Sequence, residues 1–182
     1  MKYLAVIALI CASMALYGCS TEKAPEPPPK IPAITLSPAD KELLRAFQKD
    51  ILSAENLADK AVKLAGAELK NVIKGGEVSL NLPSIIDKAK AECLLAGETL
   101  AQKAVPEALT PAMKTLLNEG KSGLSAAYKA YAESFDSVRS FVTDKNPMAL
   151  LEYRKKYGQA QELSTGATDK IRQVMTAAGV AQ

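Results

Sequence analysis

Apolar residues recur along this 182-residue chain in two different rhythms. From Tyr3 to Leu16 they are nearly continuous, a run of about fourteen residues with only Lys2 as a charge before it. Beyond residue 37 they return every third or fourth position, the spacing that lines one face of an α-helix. Leu44, Phe47, Ile51, Ala54, Ala58, Ala61 and Ala65 form a heptad seam, which predicts a first helix from about Pro38 to Lys74. Ser37 caps it through the amide of Asp40, Pro38 takes the first turn, and Gly75-Gly76 ends it. The seam is bulky in its first half and alanine in its second, with Gly66 nearby, so the second half should admit a close neighbour.

Val78, Leu80 and Leu82 alternate, yet no second strand-like run exists to pair with them. The segment reads as an extended loop whose apolar residues fold over the end of the bundle. Ser84 with Asp87 predicts another capping box and a helix to about Ala104, closed by Pro106. Thr110-Pro111 opens a third helix with the seam Met113, Leu117, Gly120, Leu124, Ala127, Tyr131, Phe135 and Val138. Gly120 and Gly123 each weaken that helix by about 1 kcal/mol relative to alanine, so a close crossing or a kink is expected there. Asn146-Pro147 opens a fourth, with the seam Leu150, Tyr153, Tyr157, Ala160, Ser164, Ala167, Ile171, Val174 and Ala178, ending before Gly179. Short connections between long helices make successive helices antiparallel neighbours. Residues 37–182 are therefore expected to form an all-α, up-down-up-down bundle of four helices, the second being the shortest. A three-helix core with the short helix packed alongside is the alternative.

The first apolar run has a different meaning. It fits a secretory h-region and falls short of the ~20 residues a membrane-spanning helix needs. At its end Leu16-Tyr17-Gly18-Cys19 resembles the lipobox of bacterial lipoproteins, with an aliphatic residue three before the cysteine and glycine directly before it. The resemblance implies that residues 1–18 are a signal peptide recognised through Leu16, Tyr17 and Gly18, and that Cys19 is acylated and becomes the anchored N-terminus. Several acyl chains at ~0.8 kcal/mol per buried methylene would hold the protein on a bilayer. Ser20 after the cysteine, in place of aspartate, implies the periplasmic face of the outer membrane of a bacterial envelope. Residues 19–36 then read as a disordered tether, because Pro25, Pro27, Pro28, Pro29 and Pro32 remove backbone donors and no helical period is present. With the tether joined to the first helix, the chain's C-terminus and the connection at 105–110 fall at the membrane-proximal end. The loops at 75–83 and 143–146 fall at the far end.

Composition narrows the chemistry. The net charge is +3 and loses one unit with Lys2, leaving no basic field that would argue for nucleic acid. Cys11 lies in the leader and Cys19 carries lipid, so Cys93 is left without a disulfide partner in the mature chain. Its Ala- and Leu-rich surroundings predict a buried thiol acting as a small hydrophobe. There is no histidine, which removes imidazole bases, His-based triads and His metal ligands together. No Cys-x-x-Cys or Gly-rich phosphate loop occurs. No enzymatic activity and no metal or cofactor is expected.

One constellation stands out. Tyr128, Tyr131, Tyr153 and Tyr157 all fall on the third and fourth helices. A turn near Asp144 to Asn146 sets Tyr131 against Tyr157 and Phe135 against Tyr153. The band, with Arg154 beside it, suits a partner surface in which tyrosine supplies area and a polar tip and basic residues steer. Seam positions among these aromatics favour core packing instead. Two function classes follow: an envelope lipoprotein whose bundle docks a protein partner as an adaptor or assembly module, and a carrier holding a small apolar or peptide ligand inside the bundle. The first needs an exposed apolar patch; the second needs a concave pocket of ~300 Å³ or more. The small seam residues argue for tight closure and the first class.

Overall fold

The computed structural model describes residues 35–144 and 146–180. The expected leader, the lipobox-like residues Leu16 to Cys19 and most of the proline-rich segment expected to be a tether lie outside the described residues. Helices α1 (Pro38–Ile73), α2 (Leu82–Gln102), α3 (Pro111–Asp144) and α4 (Pro147–Ala177) account for the secondary structure among the described residues, with no strand. They form an antiparallel up-down-up-down bundle in which successive helices make the closest approaches. No described helix is long and apolar enough to cross a membrane.

Local chemistry sets three of the four starts as the sequence reads. Ser37 Oγ accepts from the Asp40 amide at 3.1 Å and donates to the Asp40 carboxylate at 2.6 Å. Thr110 Oγ1 accepts from the Met113 amide at 3.4 Å, and Asn146 Oδ1 from the Met148 amide at 3.0 Å. Each is followed by proline, whose missing N–H falls where the helix has no acceptor to offer. Two ends are closed by glycine in the left-handed region, Gly75 at φ 87° and Gly179 at φ 65°. Gly76 N–H then bonds back to Asn71 O and Val180 N–H to Met175 O, each at 3.0 Å, which satisfies carbonyls that the helix leaves open.

The start of α2 differs from the expectation. The helix begins at Leu82, with Asn81 at the cap position and Pro83 in the first turn, so Ser84 is inside the helix and caps nothing. Asp87 is not part of a capping box; it pairs with Arg139 of α3. The preceding turn is held instead by Leu82 N–H to Ser79 O at 3.0 Å and Asn81 N–H to Ser79 Oγ at 3.2 Å. A second correction follows from the first. Leu82, drawn into α2, is fully buried, but Leu80 is 98% exposed and Val78 40% exposed, so the loop does not fold its apolar residues over the bundle. The earlier helix start leaves too little chain for the loop to turn inward.

The core is a single cluster fed by all four helices. On α3 every predicted seam residue is buried, and Ser125, Tyr128, Ala132, Ser134 and Ser137 are buried beside them. This helix is therefore enclosed on more than one side. Two of its buried hydroxyls have carbonyl acceptors: Ser125 Oγ donates to Gly97 O of α2 at 2.7 Å and Ser134 Oγ to Tyr131 O at 2.6 Å. Gly120 and Gly123 mark the closest helix crossing. A Cβ on Gly123 would lie 2.8 Å from Ala167 Cβ, and one on Gly120 would lie 3.0 Å from Ala167 O. The close crossing, one of the two outcomes expected there, brings α4 onto α3.

Inter-helix ion pairs fix the same register from outside. Lys103 meets Asp50 at 2.9 Å across α1 and α2, Lys90 meets Asp136 at 2.6 Å across α2 and α3, and Lys170 meets Glu119 at 2.7 Å across α3 and α4. All are solvent-accessible, so each contributes no more than about 1 kcal/mol.

Candidate functional site

The densest gathering of chemically distinctive side chains lies at mid-height in the bundle and draws on every helix. Helix α3 supplies Tyr128 and Tyr131, α4 supplies Tyr153 and Tyr157, α2 supplies Cys93, and α1 supplies Glu55 and Asp59. The antiparallel α3–α4 hairpin sets the aromatic register as the sequence predicts. Tyr131 and Tyr157 meet edge-on with ring centroids 5.1 Å apart, and Phe135 and Tyr153 lie 6.5 Å apart. Tyr128 to Tyr131 at 6.0 Å and Tyr153 to Tyr157 at 5.4 Å complete a continuous ladder of rings. Spacings of this size suit tilted and edge-on aromatic packing.

The ladder is internal. Tyr128, Tyr131 and Tyr153 are 2%, 9% and 8% exposed, and Tyr157 is half-buried. Of the two readings the sequence left open for these rings, core packing describes where they sit. Arg154 is exposed on the outside of α4, next to Lys155, while Lys156 pairs with Glu152 at 2.9 Å.

Asp59 is the polar end of the ladder, accepting from Tyr128 Oη at 3.0 Å. Glu55 lies one turn before it on the same flank of α1, and both are half-buried. Burial, with the Asp59 charge adding to it, pushes the Glu55 carboxyl up from 4.5 to about 7. Burial likewise pushes the Cys93 thiol up to about 12, helped by Asp59 and Glu92. Tyr153 is raised to about 12 by burial and then by Tyr157. Tyr128, Tyr131 and Tyr157 are all raised, chiefly by burial and further by the neighbouring acids. Burial thus favours the protonated form of the phenols and of the thiol near neutral pH. Burial brings the Glu55 carboxyl into the same range.

Glu55 and Asp59 fall outside the heptad seam because they stand one position beside it, next to Ala54 and Ala58. Tyr128 stands in the same relation to Ala127. The signal available in the sequence was their four-residue spacing on a flank that must meet α3. Among the described residues no group of three or more His, Cys, Asp or Glu side chains is placed to hold a metal ion.

Outside the core, grooves line the helix surfaces among the described residues. One of about 570 Å³ runs along α3 and α4 past Gly123, Leu163 and Gly166. Another of about 530 Å³ lies at the α3–α4 turn beside Asp144, Met148, Leu151 and Lys155. A third of about 210 Å³ separates Leu57 of α1 from Leu95 of α2. No protein-family model, curated protein or solved structure matches this chain.

The end of the bundle opposite Ser37 collects exposed apolar side chains. Ile73 closes α1, Val78 and Leu80 stand in the loop, and Met148 and Leu151 open α4, all of them substantially exposed. Ile73, Val78 and Leu80 belong to one connection of that end and Met148 and Leu151 to the other, whereas scattered surface leucines are ordinary on any protein.

Proposed function

We propose that this protein is a lipid-anchored component of a bacterial cell envelope that works without catalysis, docking another envelope protein through the end of its helical bundle. The observation that carries the reading is the set of exposed apolar residues at that end, Ile73, Val78, Leu80, Met148 and Leu151. Exposed apolar area of this kind costs solubility unless something covers it, and covering it is what drives association.

The anchor is Cys19, with Leu16, Tyr17 and Gly18 as the processing signal, and the bilayer is the outer membrane on its periplasmic side. The proline-rich tether gives the bundle reach at ~3.1 Å per residue, and the helix order puts the docking end away from the lipid. The tyrosine band does not supply the docking surface, since its rings are packed inside; Arg154 remains outside, near enough to the docking end to steer an approaching partner.

The test places a photoreactive residue at Leu80 and at Met148 of the lipidated protein in its native envelope, with Glu162 as a control site on the shaft. Capture of one protein at both end positions and not at Glu162 supports docking. Capture at Glu162 alone, or at none of the three, overturns it. The anchor has its own test: Cys19→Ala should move the protein from the membrane fraction to the soluble fraction.

A further inference from the structure

Helix α1 is seated unevenly. Its close backbone approach is to α2, and it reaches α3 through side chains, notably the bond from Tyr128 Oη to Asp59 at 3.0 Å. On that flank it carries two carboxylates, Glu55 and Asp59, one helical turn apart and both half-buried. The titratable groups that face this pair are Cys93 from α2, with Glu92 nearby, Tyr128 and Tyr131 from α3, and Tyr157 from α4. None of them carries positive charge, and Lys63, one turn after Asp59 on α1, is exposed and belongs to no ion pair among the described residues. Like charges four residues apart on a helix repel, and a partly buried site screens that repulsion less than water does.

A single proton on the pair removes both the repulsion and the cost of burying a second charge. The other carboxylate can then keep its bond to Tyr128. We propose that Glu55 and Asp59 form a proton-operated latch that seats α1 against the tyrosine-bearing face of α3 and α4. With one proton on the pair, α1 lies closed over the ladder. With Glu55 ionised as well, α1 lifts locally and uncovers Tyr128, Tyr131 and Tyr157. Burial of Glu55 puts the working range near pH 7, so acid closes the bundle and mild alkali loosens it. The latch does not rest on the docking assignment above, since it concerns a different face and a different helix.

Cys93 is the reporter, because it is fully buried and faces Asp59. The full chain and its Glu55→Gln variant are alkylated with iodoacetamide, and the peptide containing Cys93 is quantified by mass spectrometry. Comparing the two proteins at one pH cancels the intrinsic pH dependence of the reagent. The rates should match at about pH 5, and the unsubstituted chain should react about tenfold faster at about pH 8.5. Matching rates at both values overturn the latch. Amide exchange of the unsubstituted chain decides the matter even where Glu55→Gln disturbs packing. Protection across 52–62 should fall with rising pH relative to 167–177, and a constant ratio between the two segments overturns the proposal.

Discussion

At Gly123 the atom in the way is the Cβ of Ala167, 2.8 Å from where a new methyl would stand, and no rotamer can move it. Gly123→Ala must push α4 off α3, and the overpacking should lower stability by about 1–3 kcal/mol, read from urea melts. Gly166 has nothing within 4 Å of its own added methyl. Gly166→Ala should therefore raise stability by about 0.5–1 kcal/mol through helix propensity alone. The Tyr128 hydroxyl is a different kind of contact, since its acceptor is a carboxylate that joins no ion pair among the described residues. Tyr128→Phe should cost about 1–2 kcal/mol. Glu55 gives the whole fold a pH dependence whose sign follows from its raised carboxyl. Its contribution is fully present below the unfolded value of 4.5 and is lost as pH rises through about 7. Discounted for its partial exposure, the loss should be about 1–2 kcal/mol between pH 5 and pH 8. Glu55→Gln should flatten that slope in urea melts taken across the range, and an unchanged slope would place its origin elsewhere.

At the scale of the element, caps separate what the sequence announces from what it conceals. Ser37, Thr110 and Asn146 each precede proline and open helices where expected, because a side-chain acceptor and a ring without an N–H both solve the same first-turn problem. Around Pro83 two starts compete, and the one with a serine-to-aspartate box loses to the one that buries Leu82. Ser84→Ala should consequently change the thermal midpoint little, whereas Ser37→Ala should cost about 1 kcal/mol. The α3–α4 register was legible because the turn at Asn146 is short and both seams are regular, so counting residues back from that turn is enough to pair Tyr131 with Tyr157. Glu55 and Asp59 were not legible, because heptad counting sorts residues into inside and outside, and these two occupy the boundary. Their burial depends on how far α3 and α4 wrap toward α1, which no single helix encodes.

At the scale of the molecule, the bundle arrangement follows from three regular seams and three short connections, while the surface does not follow from pattern at all. Leu80 is the clearest case: alternation with Val78 and Leu82 promised burial, and the backbone turned it outward. Being 98% exposed, it should be replaceable by serine within about 0.5 kcal/mol of stability. The double change Leu80→Ser with Met148→Ser should nevertheless abolish photo-crosslinking from a probe at Leu151, the contrast expected of residues kept for association.

Leu36, where the described chain meets the bundle, and Val180, where it leaves, are both buried at the same end, and Gly179 sits beside the Lys41 ammonium there. Tension applied between those two points would load the contacts one helical turn after another, as a zipper is drawn, and never all at once as in shear. Pulled with handles at residues 36 and 180, the bundle should yield at low force in small steps. Pulled at 36 and 80, where α1 must slide along its neighbours, it should hold to a distinctly higher force. A bundle arranged in this way should resist a pull along its shaft yet release when its base is spread.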